Sequence, residues 1–404
     1  MKIKRAFIID FACCIPFGHN LFSVNLFYEK VSRMGFEAKA VVCKRIRKYQ
    51  YVASPHFDFE LPFLYKGIVI DITKYRLIRL FYALLRMVES LRIGKTSMLS
   101  SKAMLASKRL FKKYQFTSED IIILPSADFY GTKAILKQLG KLAVEKRPKL
   151  HLRFIGVLEH AQVYTRNSVY ELVKLINTYH ETVTVSAEVA IYARYLNLLL
   201  PHHDVIASPY PVLEGNIPST VYEKTEDSVF SILLPGTNRI EKGYYDIFNI
   251  TKELLFQFPD IEVVVQDMKK WDKHFNGKYR KKLKRLANVT LIDAILPRKE
   301  LDKLYDKANA ILLPYDPIIY EFRGSGVHYE AIQRSIPVLV NKGVGFVGEV
   351  QDWSSGWTYE TKEELYAHIS HIRTMSKNEV QAMMDNAFVK FKQCSDEAYR
   401  ISLS

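Results

Sequence analysis

The chain has 404 residues, 48% hydrophobic and 25% charged, which excludes a disordered or fibrous protein; the length exceeds what one hydrophobic core usually serves, so two domains are expected. Four cysteines (Cys13, Cys14, Cys43 and Cys394) without a Cys-x-x-Cys spacing exclude a disulfide framework and a zinc site and point to a reducing cytoplasm, and no apolar run is long enough to cross a membrane. The formal charge of +15 is confined to one half: residues 1–210 hold 32 Lys and Arg against 16 Asp and Glu, the remainder 26 against 27, and such an asymmetry calls for an anionic partner.

The basic N-terminus runs into an apolar stretch that Asp10 interrupts, with no small-x-small cleavage site, so residues 6–10 read as a buried strand and not as a signal peptide. A loop with Pro16, Phe17, Gly18, His19 and Asn20 leads to an apolar-periodic helix over 21–34, stopped by Gly35, and to a strand over 38–43. From 66 to 113 the pattern turns helical and basic, with 12 Lys and Arg against Asp71 and Glu89 alone. Leu77, Ile78, Leu80, Phe81, Leu84 and Leu85 alternate there with Lys74, Arg76, Arg79 and Arg86. Two readings fit: an amphipathic helix resting on an anionic bilayer, or a core-facing helix with a basic outer side. Strands follow at 121–124, 150–157 and 182–185. Pro201-His202-His203-Asp204 reads as a solvated loop, not a metal cluster. Residues 209–212, with the Ser-, Thr- and acid-rich 214–227, are the expected linker and coincide with the charge break.

Beyond it come strands at 229–234, 261–265, 289–292, 310–313 and 338–340, interleaved with helices at 244–258, 299–307 and 329–333. Alternation of this kind in both halves predicts an α/β protein of two Rossmann-like, doubly wound domains facing each other across a cleft. The expected division is 1–212, 213–376 and a last helix, 377–404, whose Val380, Met383, Met384, Ala387 and Phe388 share one face. Ligands of such sheets bind beyond the carboxyl ends of the strands, so the loops after strands carry the chemistry.

Two of those loops stand out. Pro235-Gly236-Thr237-Asn238-Arg239-Ile240-Glu241-Lys242-Gly243 joins a flexible backbone to two cations just before a helix, as a diphosphate site requires, without the spacing of a P-loop. The second runs from Pro314-Tyr315-Asp316 through Glu321-Phe322-Arg323-Gly324-Ser325-Gly326-Val327 to Glu330. Its Gly324-Ser325-Gly326 exposes amides at a helix start, and Glu330, one to two turns in, is placed to accept hydrogen bonds from ribose hydroxyls.

Over residues 229–345 these motifs, together with Ala310-Ile311-Leu312-Leu313-Pro314 and Glu330-Ala331 followed by Pro337-Val338, resemble the GT-B glycosyltransferases, and among them the retaining glycosyltransferase family 4. The resemblance implies a nucleotide-sugar donor in the C-terminal domain and an acceptor in the basic N-terminal one. It implies that Lys242 and Arg239 bind the donor diphosphate, although the usual arginine position after the glycine is Thr237. It makes Glu330 the ribose ligand. The family's first glutamate falls on Phe322, so Glu321 or Arg323 takes its place. Gly18 matches the family's glycine loop after the first strand, and His160 its catalytic histidine. The last helix is expected to pack back on the N-terminal domain. No Asp-x-Asp occurs, and no metal or other cofactor is expected. The acceptor expected is a glycan or lipid-linked glycan of surface polysaccharide, lipopolysaccharide or glycolipid synthesis. The protein would then be cytoplasmic and peripheral on an anionic membrane surface, with no nucleic acid as partner. The alternatives are a GT-B-fold epimerase or hydrolase, a non-catalytic sugar-nucleotide-binding subunit, and a nucleic-acid-binding protein.

Overall fold

The computed structural model describes residues 4–14, 19–48, 56–62, 98–156, 166–213, 229–236, 242–243, 246–266, 276–292, 296 and 298–403. The chain divides into two compact units: Met1–Glu188 with Tyr192–Leu213 and Ser395–Ser404, and Val189–Ile191 with Glu214–Cys394.

The first unit is a parallel sheet of β1 (Arg5–Ile9), β2 (Glu37–Cys43), β3 (Phe57–Leu61), β4 (Ile121–Leu124), β5 (Lys149–Phe154), β6 (Val183–Ala187) and β7 (Ile206–Ala207), in the order β3-β2-β1-β4-β5-β6-β7. Its helices are α1 (His19–Arg33), α2 (Met98–Tyr114), α3 (Phe129–Leu139), α4 (Arg166–Thr178) and α5 (Ala190–Leu199). Strand β4 is apolar at all four positions and wholly buried, as a central strand covered on both faces must be. Ala6, Ile8, Val24, Phe27, Val31, Ala40, Val42 and Ile123 close one core on it. Gly35 ends α1 with φ +86°, a conformation that costs glycine nothing.

The loops at the carboxyl ends are tied by buried polar groups. Asp10, just past β1, accepts the N–H of Ala12 at 2.6 Å and of Cys13 at 3.0 Å. Arg153 on β5 is wholly buried and spends its donors on three neighbouring strand ends: Nε on Ser208 O (2.7 Å), Nη1 on Pro125 O (3.2 Å) and Nη2 on Glu188 Oε1 (3.3 Å). A buried guanidinium is tolerated because it is both ion-paired and hydrogen-bonded.

The second unit is a parallel sheet of β8 (Ser231–Leu234), β9 (Glu262–Gln266), β10 (Val289–Ile292), β11 (Ala310–Leu313), β12 (Val338–Asn341) and β13 (Gly356–Tyr359), ordered β10-β9-β8-β11-β12-β13. Around it stand α6 (Ile247–Gln257), α7 (Asn276–Leu283), α8 (Arg298–Asp306), α9 (Pro317–Tyr320), α10 (Gly326–Gln333), α11 (Val347–Trp353) and α12 (Lys362–Thr374). Ile232, Leu234, Leu254, Val263, Val265, Leu312, Leu339, Leu365 and Ile369 form its core.

Two expectations can be set beside what is observed. Residues 209–213, at the start of the expected linker, directly precede the division after Leu213, and Tyr210, Val212 and Leu213 are buried. Ser395 Oγ donates to Tyr210 O (3.0 Å) and accepts the Val212 N–H (3.2 Å), and Tyr399 Oη donates to Pro209 O (2.7 Å). Proline suits an extended segment whose carbonyls are taken by side chains as well as it suits a loop. The last helix, α13 (Lys377–Leu403), occupies the segment expected for it, 377–404. It belongs to the second unit through Cys394, and its end from Ser395 belongs to the first. Residues 214–228 and the part of the predicted basic stretch from 66 to 97 lie outside the described residues; the remainder of that stretch, to 113, falls in α2. Among the described residues, no helix is long and apolar enough to cross a membrane.

Candidate functional site

In the second sheet, β8 has β9 on one side and β11 on the other, so the strand order reverses there and the loops after β8 and β11 frame the crevice at the switch point. Gly236, past β8, has φ +105° and donates its N–H to Gln266 Oε1, at the end of β9, at 2.7 Å. The place a side chain at 236 would occupy is filled by the Lys242 ammonium, 2.7 Å from where a Cβ would stand. Lys242 Nζ also lies 5.3 Å from the centre of the Tyr315 ring, whose face attracts a cation. Gly243 follows with φ +75°, and a Cβ there would stand 1.9 Å from Pro314 O, so only glycine lets the β8 loop abut the β11 loop.

Past β11, Asp316 caps α9 by accepting the N–H groups of Ile318 and Ile319 at 2.9 and 3.3 Å. Asn341 Nδ2, at the end of β12, donates to Tyr315 O at 3.4 Å, and the Tyr315 ring lies 4.4 Å from that of Tyr320. Three strand ends thus meet around Tyr315, with the Lys242 ammonium on its face. Glu321 is exposed at the end of α9, and the Arg323 guanidinium stands 5.6 Å from the Tyr320 ring. Gly324 leads to buried Ser325, whose Oγ accepts the His328 N–H at 3.3 Å and so caps α10, with Gly326 exposed and Val327 half-buried in its first turn. His328 is wholly buried, contacts Ser355 Oγ at 2.7 Å through Nε2 and stacks on Trp353; burial lowers its pKa to about 3, so it is a neutral part of the core.

Glu330, one turn further along α10, is held from two sides. Its Oε2 accepts the Tyr305 Oη–H at 3.2 Å and its Oε1 the Arg334 Nη2–H at 3.3 Å. Arg334 is also ion-paired with Asp302 of α8, and its guanidinium lies 4.6 Å from the Tyr305 ring. Burial works against the Arg334 charge, but the Asp302 hydrogen bond and the charges of Glu330 and Asp302 outweigh it and raise its pKa. Burial, reinforced by the Glu330 charge, pushes the Tyr305 hydroxyl well up, so it remains a proton donor. A carboxylate, with two oxygens that each carry more than one lone pair, is the side chain suited to accept from a diol.

The fold brings Gly236 and Lys242 to one place and seats Glu330 on the helix that Ser325, Gly326 and Val327 begin. Gly18, His160 and Arg239 lie outside the described residues. Gln266, Asp302, Tyr305 and Arg334 adjoin these candidates and were not singled out from the sequence; Tyr315 was named in its loop without a role. Gln266 was visible as the polar end of an apolar strand, and Arg334 as the residue four beyond Glu330 on a helix; Asp302 and Tyr305 come from a helix that only the fold brings near. His202 and His180 have ring centres 5.4 Å apart, but among the described residues no three His, Cys, Asp or Glu side chains gather as a metal site.

No protein-family model matches the chain, and no curated protein sequence does. Solved structures do resemble it in fold. Sucrose-phosphate synthase from Thermosynechococcus elongatus superposes with a TM-score of 0.64 at 14% identity, over 99% of this chain and 96% of that one. An E. coli structure described as trehalose-6-phosphate bound with UDP-2-fluoro glucose gives 0.64 at 11% identity, over 98% of each chain. A UDP-N-acetylglucosamine 2-epimerase, so described with reserve, from Listeria monocytogenes gives 0.55 at 13%, over 95% of this chain and 91% of that one. With its two Rossmann-like units of seven and six parallel strands, the chain has the GT-B fold.

Proposed function

We propose that the second unit binds the diphosphate and ribose of a nucleotide sugar, and that the chain transfers the sugar, with retention, to a glycan or lipid-linked acceptor. The observation that carries this reading is the Lys242 ammonium lodged over Gly236 at the switch point of the second sheet. A fixed cation at that position neutralises the charge that develops on a departing diphosphate, and the amides at the start of α10 add to it. Glu330, steadied by Arg334 and Tyr305, accepts from the ribose hydroxyls. Arg239, His160 and Gly18 belong to the reading as second phosphate ligand, catalytic histidine and glycine loop. Glu321 and Arg323 face the donor sugar in it. The neighbour bound with UDP-2-fluoro glucose supports a nucleotide sugar as ligand. The charge excess of residues 1–210 supports an acceptor or surface that is anionic, and with it a peripheral, cytoplasmic enzyme of surface polysaccharide, lipopolysaccharide or glycolipid synthesis.

The test is nucleotide release from UDP-, GDP-, ADP- and CMP-sugars, with EDTA present, with and without a glycolipid acceptor fraction. Release from one donor family that requires the acceptor is expected. The 2-epimerase neighbour gives a second reading its weight, and release or epimer formation without acceptor would decide for it. A smaller effect is expected at Arg334. Its replacement by Gln removes a charged donor from Glu330 without touching the diphosphate, so KM for the donor should rise about tenfold with kcat nearly unchanged. A fall in kcat alone in steady-state kinetics would remove Glu330 from donor binding.

A further inference from the structure

We propose that the outward face of α2 is a docking surface for an anionic phospholipid bilayer. The proposal deepens the reading above by naming the surface that would hold the chain beside a lipid-linked acceptor, and only its purpose rests on that reading.

Over Met98–Tyr114 helix α2 contains no Asp or Glu. Ala103, Ala106, Ser107, Leu110 and Tyr114 are buried, and the helix lies against α3. The other side carries Lys102, Lys108, Arg109 and Lys112, all exposed, and Leu105, 50% exposed. At 3.6 residues per turn these five fall within an arc of about 120°, with Leu105 in the middle of the cations. Lys113, at the edge of this face, is neutralised by Asp58 and Glu60 of β3, both at 2.7 Å. Among the described residues no ion pair neutralises the other four.

The placement of the leucine separates a bilayer from other polyanions. Four cations alone would suit a nucleic acid as well. An exposed leucine ringed by long basic side chains gains only where an apolar layer lies beneath a layer of phosphates: Leu105 enters the first while the basic heads snorkel to the second. Each basic residue near an anionic surface raises the partition coefficient about fivefold, and salt reduces the gain.

The experiment is co-sedimentation of the full chain with phosphatidylcholine vesicles, with and without phosphatidylglycerol, at low and at physiological salt. Binding only to the anionic vesicles, weakened by salt, is expected. The triple variant Lys108→Glu, Arg109→Glu, Lys112→Glu should lower the partition coefficient by about 100-fold or more, and Leu105→Ser by a smaller factor, at unchanged Tm because all four residues are exposed. Failure of the wild type to bind, or equal binding of the triple variant, would overturn the proposal. Tighter binding of an oligonucleotide than of vesicles, lost in the same variant, would also overturn it and assign the face to nucleic acid. No nucleotide enters the vesicle assay, so its failure leaves the donor reading standing, and loss of the donor reading leaves the docking result standing.

Discussion

Replacing Lys242 by Met is expected to lower kcat/KM for sugar transfer by about 100- to 1,000-fold, with the fold intact. The magnitude follows from position. The ammonium is lodged where the missing side chain of Gly236 leaves room, and it rests on the Tyr315 ring. It is thus held before the donor arrives, and a preoriented charge costs no reorganisation at the moment of reaction. Methionine keeps the aliphatic length and the contact with the ring but removes the charge, so loss of activity without a matching loss of Tm separates electrostatics from packing. Loss in kcat as well as in KM is expected, because charge on the leaving diphosphate grows toward the transition state. A variant within about threefold of wild type would mean that the diphosphate does not lie at this loop.

Gly243→Ala is expected to destabilise the second unit by about 3 kcal/mol or more and to abolish turnover with it. Two costs add. The residue has φ +75°, where any side chain is strained by about 1–2 kcal/mol. The new Cβ would stand 1.9 Å from the carbonyl oxygen of Pro314, a backbone atom that moves only if β11 or its loop moves. At Gly236 the obstructing atom is instead the flexible end of Lys242, and the same substitution there displaces a side chain, not a strand. Denaturant unfolding followed by Trp357 and Trp353, both in the second unit, checks the value; a variant as stable as wild type would show that the two loops do not touch as described.

The architecture was legible because both sheets are central and parallel. Ile121-Ile122-Ile123-Leu124 and Ala310-Ile311-Leu312-Leu313 have no polar alternation, so they announce strands buried on both faces at once. Of the edge strands, Val289–Ile292 was read from the sequence, but two others were not. Phe57–Leu61 alternates apolar residues with Asp58 and Glu60, which face Lys113, a strand pattern that sequence reading passed over, and Gly356–Tyr359 begins with glycine, which weakens a strand signal. The burial of residues 209–213 was not legible for a related reason, since their backbone partners, Ser395 and Tyr399, lie nearly two hundred residues away.

The site divides in the same way. Gly236, Lys242, Gly243 and Glu330 are local in sequence and were singled out there as candidates. What holds them is not: Tyr315 under the ammonium, Gln266 on the Gly236 amide, and the Asp302–Arg334–Tyr305 group around Glu330. Support of this kind comes from strand ends and helices that only the fold brings together, and a linear reading sees each of them separately.

The most direct test of the account is a thermal-shift series with UDP, GDP, ADP and CMP on the wild type and on Lys242→Met. A ligand that binds only the folded protein at a hundred times its Kd adds about 2.7 kcal/mol of stability, which a melting curve resolves. A rise in Tm with one nucleotide and its loss in the variant are predicted. No shift with any nucleotide, or an equal shift in the variant, would contradict the donor site described here.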